Sequence, residues 1–188
     1  MAERAEASIA AKTIDAGPQV RRRVLALEIR ASRMGFAVFE DMELIDWGAK
    51  SFLQTANSLR PYVSARIRAL LTTYCPGIVA VRERQYFSAS GNKRFATILD
   101  VLRREAKEQR AKFKVISANS VEQHFAKRGC TTKHEIATNL SRRFEHLSWK
   151  LPKPRKVYES EAPIMAVFDA VATGFDFLER NADIPITS

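Results

Sequence analysis

Three short apolar segments near the start of the chain restrict the fold more than any other feature. They cover residues 24–29, 35–39 and 44–50. Only the turn Glu40-Asp41-Met42-Glu43 separates the last two. A parallel pair of strands would need a connection of a dozen or more residues, so strands this close together predict an antiparallel meander.

Helical and strand-like patterns alternate in the rest of the chain. Apolar residues at helical spacing, Pro and Gly punctuation and short apolar runs predict each element. Thr132 with Glu135 three residues later forms a capping box, which marks the start of one helix. The predicted elements are a helix from Pro61, a strand at 78–81, a helix at 92–110, a strand at 113–117, helices at 120–127 and from Thr132, a basic loop at 145–158 and a helix at 161–180.

The resulting order, βββαβαβααα, indicates an α/β protein in which helices flank a mixed five-stranded sheet. The amphipathic helix at 92–110 has the apolar stripe Phe95, Ile98, Leu99 and Leu102. We expect this stripe to form either part of the core or a dimer interface.

The charge of the chain indicates a polyanionic partner. Its 188 residues suffice for one domain, and 31 Lys and Arg against 21 Asp and Glu give a formal charge of +10. Nucleic acid is the first candidate and an anionic membrane the second. No apolar stretch approaches the ~20 residues that span a bilayer, so no membrane association is expected.

The cysteines and the termini complete the domain prediction. Cys75 and Cys130 are isolated, which is typical of reduced thiols in a cytoplasmic protein. Residues 1–20 contain three acidic residues and lack the apolar core of a signal peptide. We therefore expect a disordered tail at 1–20, a single domain at 21–181 and a short tail at 182–188.

Three carboxylates beside apolar runs are the candidate functional residues. Glu28 ends one run, Glu83 follows another at 77–81, and Asp169 lies inside the run 164–172. A carboxylate is rarely buried unless it is paired or bound to a metal. Three that converged would repel one another unless cations lay between them. The alternatives are a salt bridge from Glu28 to Arg30 or Arg33, and a surface charge pair for Glu83.

The order of these pieces resembles the RuvC-like Holliday-junction resolvases of the ribonuclease-H-like superfamily. The first piece is Leu25-Ala26-Leu27-Glu28 with Gly35 seven residues later. A strand followed by Glu83 comes next, and residues 85–93 then lead into a long helix. The last is Phe168-Asp169-Ala170-Val171-Ala172 in the closing helix.

This resemblance implies a ribonuclease-H-like fold and a metal-dependent endonuclease. Glu28, Glu83 and Asp169 would be catalytic and would hold two Mg²⁺ or Mn²⁺ ions ~4 Å apart. The substrate would be a phosphodiester of branched DNA. The protein would act as a homodimer, because a four-way junction needs two symmetric cuts.

Two residues depart from the pattern of these resolvases. Glu28 stands where an Asp is usual, and Ala166 stands where a fourth acidic residue is expected. Glu161 could replace that fourth ligand only if the last helix began near Pro163 and the preceding residues folded back. These departures favour an alternative function, that of a catalytically impaired relative that only binds nucleic acid.

Several basic residues are candidates for phosphate contacts, or else are solvated surface charges. Trp149 and Tyr158, in the basic loop, either stack on unpaired bases or anchor the loop to the core. The candidate nucleic-acid-binding residues are Arg30, Arg33, Lys93, Arg94, Lys133, Lys153, Arg155 and Lys156.

Overall fold

The computed structural model describes residues 23–51, 59–84, 88–156 and 158–182. The strands are β1 (Arg23–Ile29), β2 (Arg33–Glu40), β3 (Glu43–Ser51), β4 (Ile78–Arg82) and β5 (Lys112–Ile116). The α-helices are α1 (Leu59–Tyr74), α2 (Ala89–Glu108), α3 (Ala118–Ala126), α4 (Lys133–Arg143) and α5 (Met165–Arg180). The predicted order βββαβαβααα is confirmed.

The five strands form one mixed sheet in the order β3-β2-β1-β4-β5. β1, β2 and β3 pair antiparallel, which confirms the predicted meander, and β4 and β5 run parallel to β1. Side chains alternate between the two faces of a strand. Leu25 and Leu27 therefore pack towards α1 and α2, whereas Val24 and Ala26 pack towards α3, α4 and α5.

Two glycines allow α5 to lie directly on the sheet. A Cβ at Gly35, on β2, would lie 2.0 Å from the carbonyl oxygen of Ala166 in α5. A Cβ at Gly174, on α5, would lie 2.4 Å from the ring of Phe39. Both distances are far below van der Waals contact, so only glycine permits this approach. As a result, α5 is buried along most of its length.

Local signals explain where the helices begin. The predicted capping box is present, because the Thr132 side chain accepts from the Glu135 amide and the Glu135 carboxylate accepts from the Thr132 amide. α2 begins at Ala89 instead of residue 92, because the Ser88 hydroxyl caps it by accepting from the Gly91 amide. α5 begins at Met165 instead of residue 161, after a turn that contains Pro163.

The basic segment at 145–158 is not a loop throughout. Its first part, Glu145–Lys150, is a 3₁₀-helix. Leu147 is fully buried and anchors this helix to the core. The sequence does not indicate this burial, because most of the neighbouring residues are charged or polar. From residue 151 to 156 the chain has no regular secondary structure.

The apolar stripe of α2 is part of the core of this chain. Phe95, Ile98 and Leu102 are buried against α1 and the sheet, and Leu99 is half-buried beside them. The predicted tail at 1–20 lies outside the described residues, as does 183–188. In the described part of the chain, no helix has both the length and the apolar character needed to cross a bilayer.

Candidate functional site

The end of β1 and the second turn of α5 bring two of the predicted carboxylates together. Glu28 pairs with Gly35 across the β1–β2 ladder. Because Gly35 allows α5 to approach at Ala166, Asp169 on the next turn reaches the same end of the sheet. Glu28 is 1% exposed and Asp169 is 4% exposed.

Three basic side chains surround the Asp169 carboxylate. Arg30 donates from Nη2 to Oδ2 at 2.7 Å, and Lys133 Nζ lies 3.3 Å from the same oxygen. Arg82 Nη1 lies 3.0 Å from the other oxygen, Oδ1. Both carboxylate oxygens are therefore paired with cations of the protein itself.

Glu28 is paired with arginines from two directions. Arg84 donates from Nη1 to Glu28 Oε1 at 2.5 Å, and Arg30 Nε lies 3.8 Å from that oxygen. The second oxygen, Oε2, is buried and has no hydrogen-bond partner among the described residues.

Glu161 also lies in the site, and the last helix begins after it, as the sequence analysis required for this residue to contribute. α5 begins only at Met165, so Glu161 lies in the non-helical residues before it. Arg30 Nη1 then donates to Glu161 Oε2 at 2.6 Å, and Lys133 Nζ donates to Oε1 at 2.9 Å. Arg30 and Lys133 thus bridge Glu161 to Asp169.

The result is an ion-pair cluster in which acidic and basic side chains balance. Arg82 also pairs with Glu122 on α3, at 2.8 Å. Four carboxylates face four cations, so the formal charge of the cluster is zero when every group is ionised, and the cations carry the charge of two divalent metal ions. The members are Glu28, Glu122, Glu161, Asp169, Arg30, Arg82, Arg84 and Lys133.

This arrangement does not fit the expected Mg²⁺ or Mn²⁺ centre. Two-metal catalysis needs carboxylate oxygens that are free to bind ions ~4 Å apart. In Asp169 and Glu161 every carboxylate oxygen contacts a cationic nitrogen. Within the described ranges, no group of three His, Cys, Asp or Glu side chains could hold a metal ion.

Glu83 lies outside the ion-pair cluster. Leu27 pairs with Val81, so Glu28 and Arg82, one residue further along each strand, are neighbours on the same face. Glu83 is exposed, and it borders the cavity of about 400 Å³ that Glu28 also lines. Among the described residues its carboxylate has no ion-pair partner.

The remaining predicted basic residues lie around this end of the molecule. Arg33 begins β2, and Lys93 and Arg94 lie in the first two turns of α2. Lys153 and Arg155 line a second cavity of about 890 Å³, which Lys133 and Glu161 also line. Lys156 is exposed nearby. Lys133 lines both cavities, so the two are adjacent.

Sequence reasoning missed Arg82, Arg84 and Glu122 as members of the site. The signal for the two arginines was present. In Arg82-Glu83-Arg84 the side chains at the ends point to one face of an extended strand and Glu83 points to the other. Which face meets Glu28 depends on the register between β1 and β4, which the sequence does not reveal. Glu122 gave no signal, because an exposed Glu on a short helix is common.

The surroundings of Glu28 change its protonation. Burial raises its pKa from 4.5 to about 7, and the negative charge of Asp169 adds to the rise. Arg82, Arg84 and Arg30 act in the opposite direction but do not cancel it. Near neutral pH, Glu28 is therefore divided between the neutral and the charged form.

We expect Glu28→Gln to change how stability depends on pH. The folded protein holds the Glu28 proton more tightly than the unfolded chain does, so this contribution is complete below pH 4.5 and is lost as the pH rises through 7. The loss is about 3 kcal/mol, at ~1.4 kcal/mol per pKa unit. Relative to wild type, the variant should gain this amount between about pH 4.5 and 8 in urea unfolding. Parallel curves for the two proteins would contradict the raised pKa.

Comparison with known proteins supports the fold. No protein-family model matches the chain, and no curated protein matches it in sequence. Among solved structures, Thermus thermophilus RuvC in complex with a Holliday junction substrate matches with a TM-score of 0.66 and 16% identity, over 86% of this chain and 96% of that one.

Two further structures agree. T. thermophilus RuvC in another structure gives a TM-score of 0.65 and 17% identity, over 85% of this chain and 96% of that one. The yeast mitochondrial Holliday junction resolvase Ydc2 gives a TM-score of 0.64 and 11% identity, over 86% of this chain and 80% of that one. The chain therefore has the ribonuclease-H-like fold of the RuvC Holliday junction resolvases, as its sequence predicted.

Proposed function

We propose that this protein binds branched or otherwise structured DNA and does not hydrolyse it by a two-metal mechanism. The observation that carries the proposal is the ion-pair cluster. Basic side chains of the protein pair with Glu28, Glu161 and Asp169, three of the carboxylates that were candidates for binding metal ions.

The fold and the charge support the binding part of the proposal. One of the similar structures was solved with a Holliday junction substrate, and the likeness covers 86% of this chain. The net charge of +10 favours a polyanion.

A four-way junction has two symmetric halves, so a homodimer is part of the proposal. A cytoplasmic location is also part of it, because Cys75 and Cys130 are free thiols.

The burial of the cations indicates how the site would act. Arg82 and Arg30 are 7% and 13% exposed, so they form the floor and hold Asp169 in place. Arg84 and Lys133 are 32% and 40% exposed and stand at the rim. A guanidinium and an ammonium group at the rim can donate to a DNA phosphate without leaving the floor unpaired. The site thereby binds and orients a backbone phosphate.

Endonuclease activity is the competing function, and one observation favours it. Glu28, Glu161 and Asp169 converge at the end of β1, where a resolvase-like nuclease would need them. Activity would require Arg30 to move away from all three carboxylates, and Lys133 from Glu161 and Asp169, so that metal ions could enter.

A four-way junction assay separates the two functions. We expect the protein to retard a labelled junction more strongly than a linear duplex of the same length, in EDTA. With Mg²⁺ or Mn²⁺ added, we expect the junction strands to remain intact. Cleavage by the wild type that Asp169→Asn abolishes, while that variant still binds the junction, would establish the nuclease instead. Equal affinity for junction and duplex would refute recognition of branched structure.

A further inference from the structure

A second cluster of side chains, outside the ion-pair cluster, lies at the edge of the sheet and contains Trp149. Trp47, on the edge strand β3, stacks on His146, with ring centroids 6.5 Å apart and an interplanar angle of 14°. Trp149 follows, its centroid 6.2 Å from that of Trp47. Lys150 Nζ lies 4.0 Å from the centre of the Trp149 ring. We call these four residues the aromatic patch.

A β-bulge places Trp47 in the aromatic patch. Leu44 pairs with Phe39 and Asp46 with Val38, so Ile45 is the extra residue. Leu44 and Trp47 are three positions apart and would face opposite sides of a regular strand. The extra residue puts both on the face that α5 covers, and bulges at sheet edges often re-aim a side chain in this way.

The aromatic patch is anchored to buried residues of the core, and Trp149 within it is exposed to solvent. Phe144, which is buried and packs edge-on against Phe39, lies beside the His146 ring at 6.4 Å. Leu147, fully buried, fixes the 3₁₀-helix that carries Trp149. Trp149 itself is 71% exposed. An aromatic ring held by a rigid backbone loses little entropy on binding.

The chemistry of the aromatic patch indicates its ligand. Exposed rings next to a cation suit a nucleotide, whose base stacks on the ring while its phosphate meets the ammonium group. Arg142 and Arg143, exposed at the end of α4, add positive charge beside it. An apolar protein partner would gain little from this charge, so the surroundings favour a nucleic acid.

We propose that Trp47, His146, Trp149 and Lys150 form a stacking site for unpaired bases. The proposal rests on the proposed function, because the bases would belong to the same bound DNA. Lys133 begins α4 and the aromatic patch follows its end, so the 11 residues of α4 separate the two sites by about 16 Å. Unpaired nucleotides close to a bound branch point could reach that far.

Intrinsic fluorescence tests this proposal directly, because the only two tryptophans of the chain lie in the aromatic patch. We expect single-stranded oligothymidylate to quench the tryptophan emission and a blunt duplex of equal length to quench it far less. Trp149→Ala should weaken single-strand binding about 5- to 140-fold, the equivalent of ~1–3 kcal/mol per stacked base. Trp149→Phe keeps a ring and should retain most of the affinity.

The other outcomes separate this proposal from the proposed function. If anisotropy shows junction binding but oligothymidylate causes no quenching, the stacking site is refuted and junction binding stands. If no DNA binds, both fall. Emission that changes with protein concentration alone would mean that the aromatic patch is a contact between copies of the chain. Unchanged single-strand affinity in Trp149→Ala would also overturn the proposal.

Discussion

Asp169→Asn should lower the free energy of unfolding by about 3–5 kcal/mol. The substitution removes the negative charge between Arg30 and Arg82, which contact opposite oxygens of Asp169. All three side chains are at most 13% exposed, so water cannot replace the lost partner. Chemical unfolding in EDTA, monitored by circular dichroism, measures the loss.

Whether Asp169→Asn lowers or raises stability distinguishes an ion-pair cluster from an empty metal centre. In an empty metal centre the carboxylates repel one another, so neutralising one would leave stability unchanged or raise it. Asp100→Asn is the matched control, since Asp100 pairs with Arg103 on the exposed face of α2, where both side chains are about 60% exposed. We expect that substitution to change stability by no more than about 0.5 kcal/mol. A stability gain in Asp169→Asn would contradict the ion-pair cluster.

Affinity for DNA should fall by about 10³–10⁵ between 50 and 200 mM salt, if the protein makes ~6–10 phosphate contacts. Each contact releases condensed counterions, so the slope of log affinity against log salt counts the contacts. Substituting Lys153, Arg155 and Lys156 together by Ala should reduce this slope by about 3 and weaken binding to all sequences alike. Anisotropy titrations over a salt series measure both quantities.

Three lysines elsewhere provide the control for this experiment. Lys107 lies at the end of α2, Lys112 begins β5 and Lys114 follows on the same strand. All three are exposed, and Lys112 and Lys114 lie on β5, an edge strand that β4 separates from the strand of Glu28. Replacing them removes the same net charge, yet the slope should change little. Equal losses from the two triple variants would mean that DNA responds only to overall charge.

The fold could be predicted because its signals are local. The apolar segments of the meander, the capping box at Thr132 and the stripe on α2 each depend on neighbours a few residues away. The predicted ends of helices were less accurate where one capping side chain determines the first helical residue, as Ser88 does for α2. The 3₁₀-helix was missed because only Leu147 is buried in it, and one apolar residue makes no period.

The ion pairs within the site could not be predicted, because they depend on the register between β1 and β4 and on how α4 packs against α5. The sequence indicated that Glu28 and Asp169 would be buried, yet it could not show which cations would meet them. Arg82 faces Glu28 because Leu27 pairs with Val81, and a register shifted by one residue would have presented Glu83 instead. Lys133 reaches Asp169 only because α4 and α5 pack together, a contact between residues 36 positions apart.

The most direct test of the ion-pair cluster is the unfolding free energy of the wild-type protein in EDTA and in millimolar Mn²⁺. A ligand that binds only the folded state raises that free energy in proportion to the logarithm of its concentration. Since Arg30, Arg82, Arg84 and Lys133 already pair with Glu28, Glu161 and Asp169, we expect the same value in both solutions. A rise with Mn²⁺ that Asp169→Asn abolishes would contradict it and establish a metal centre.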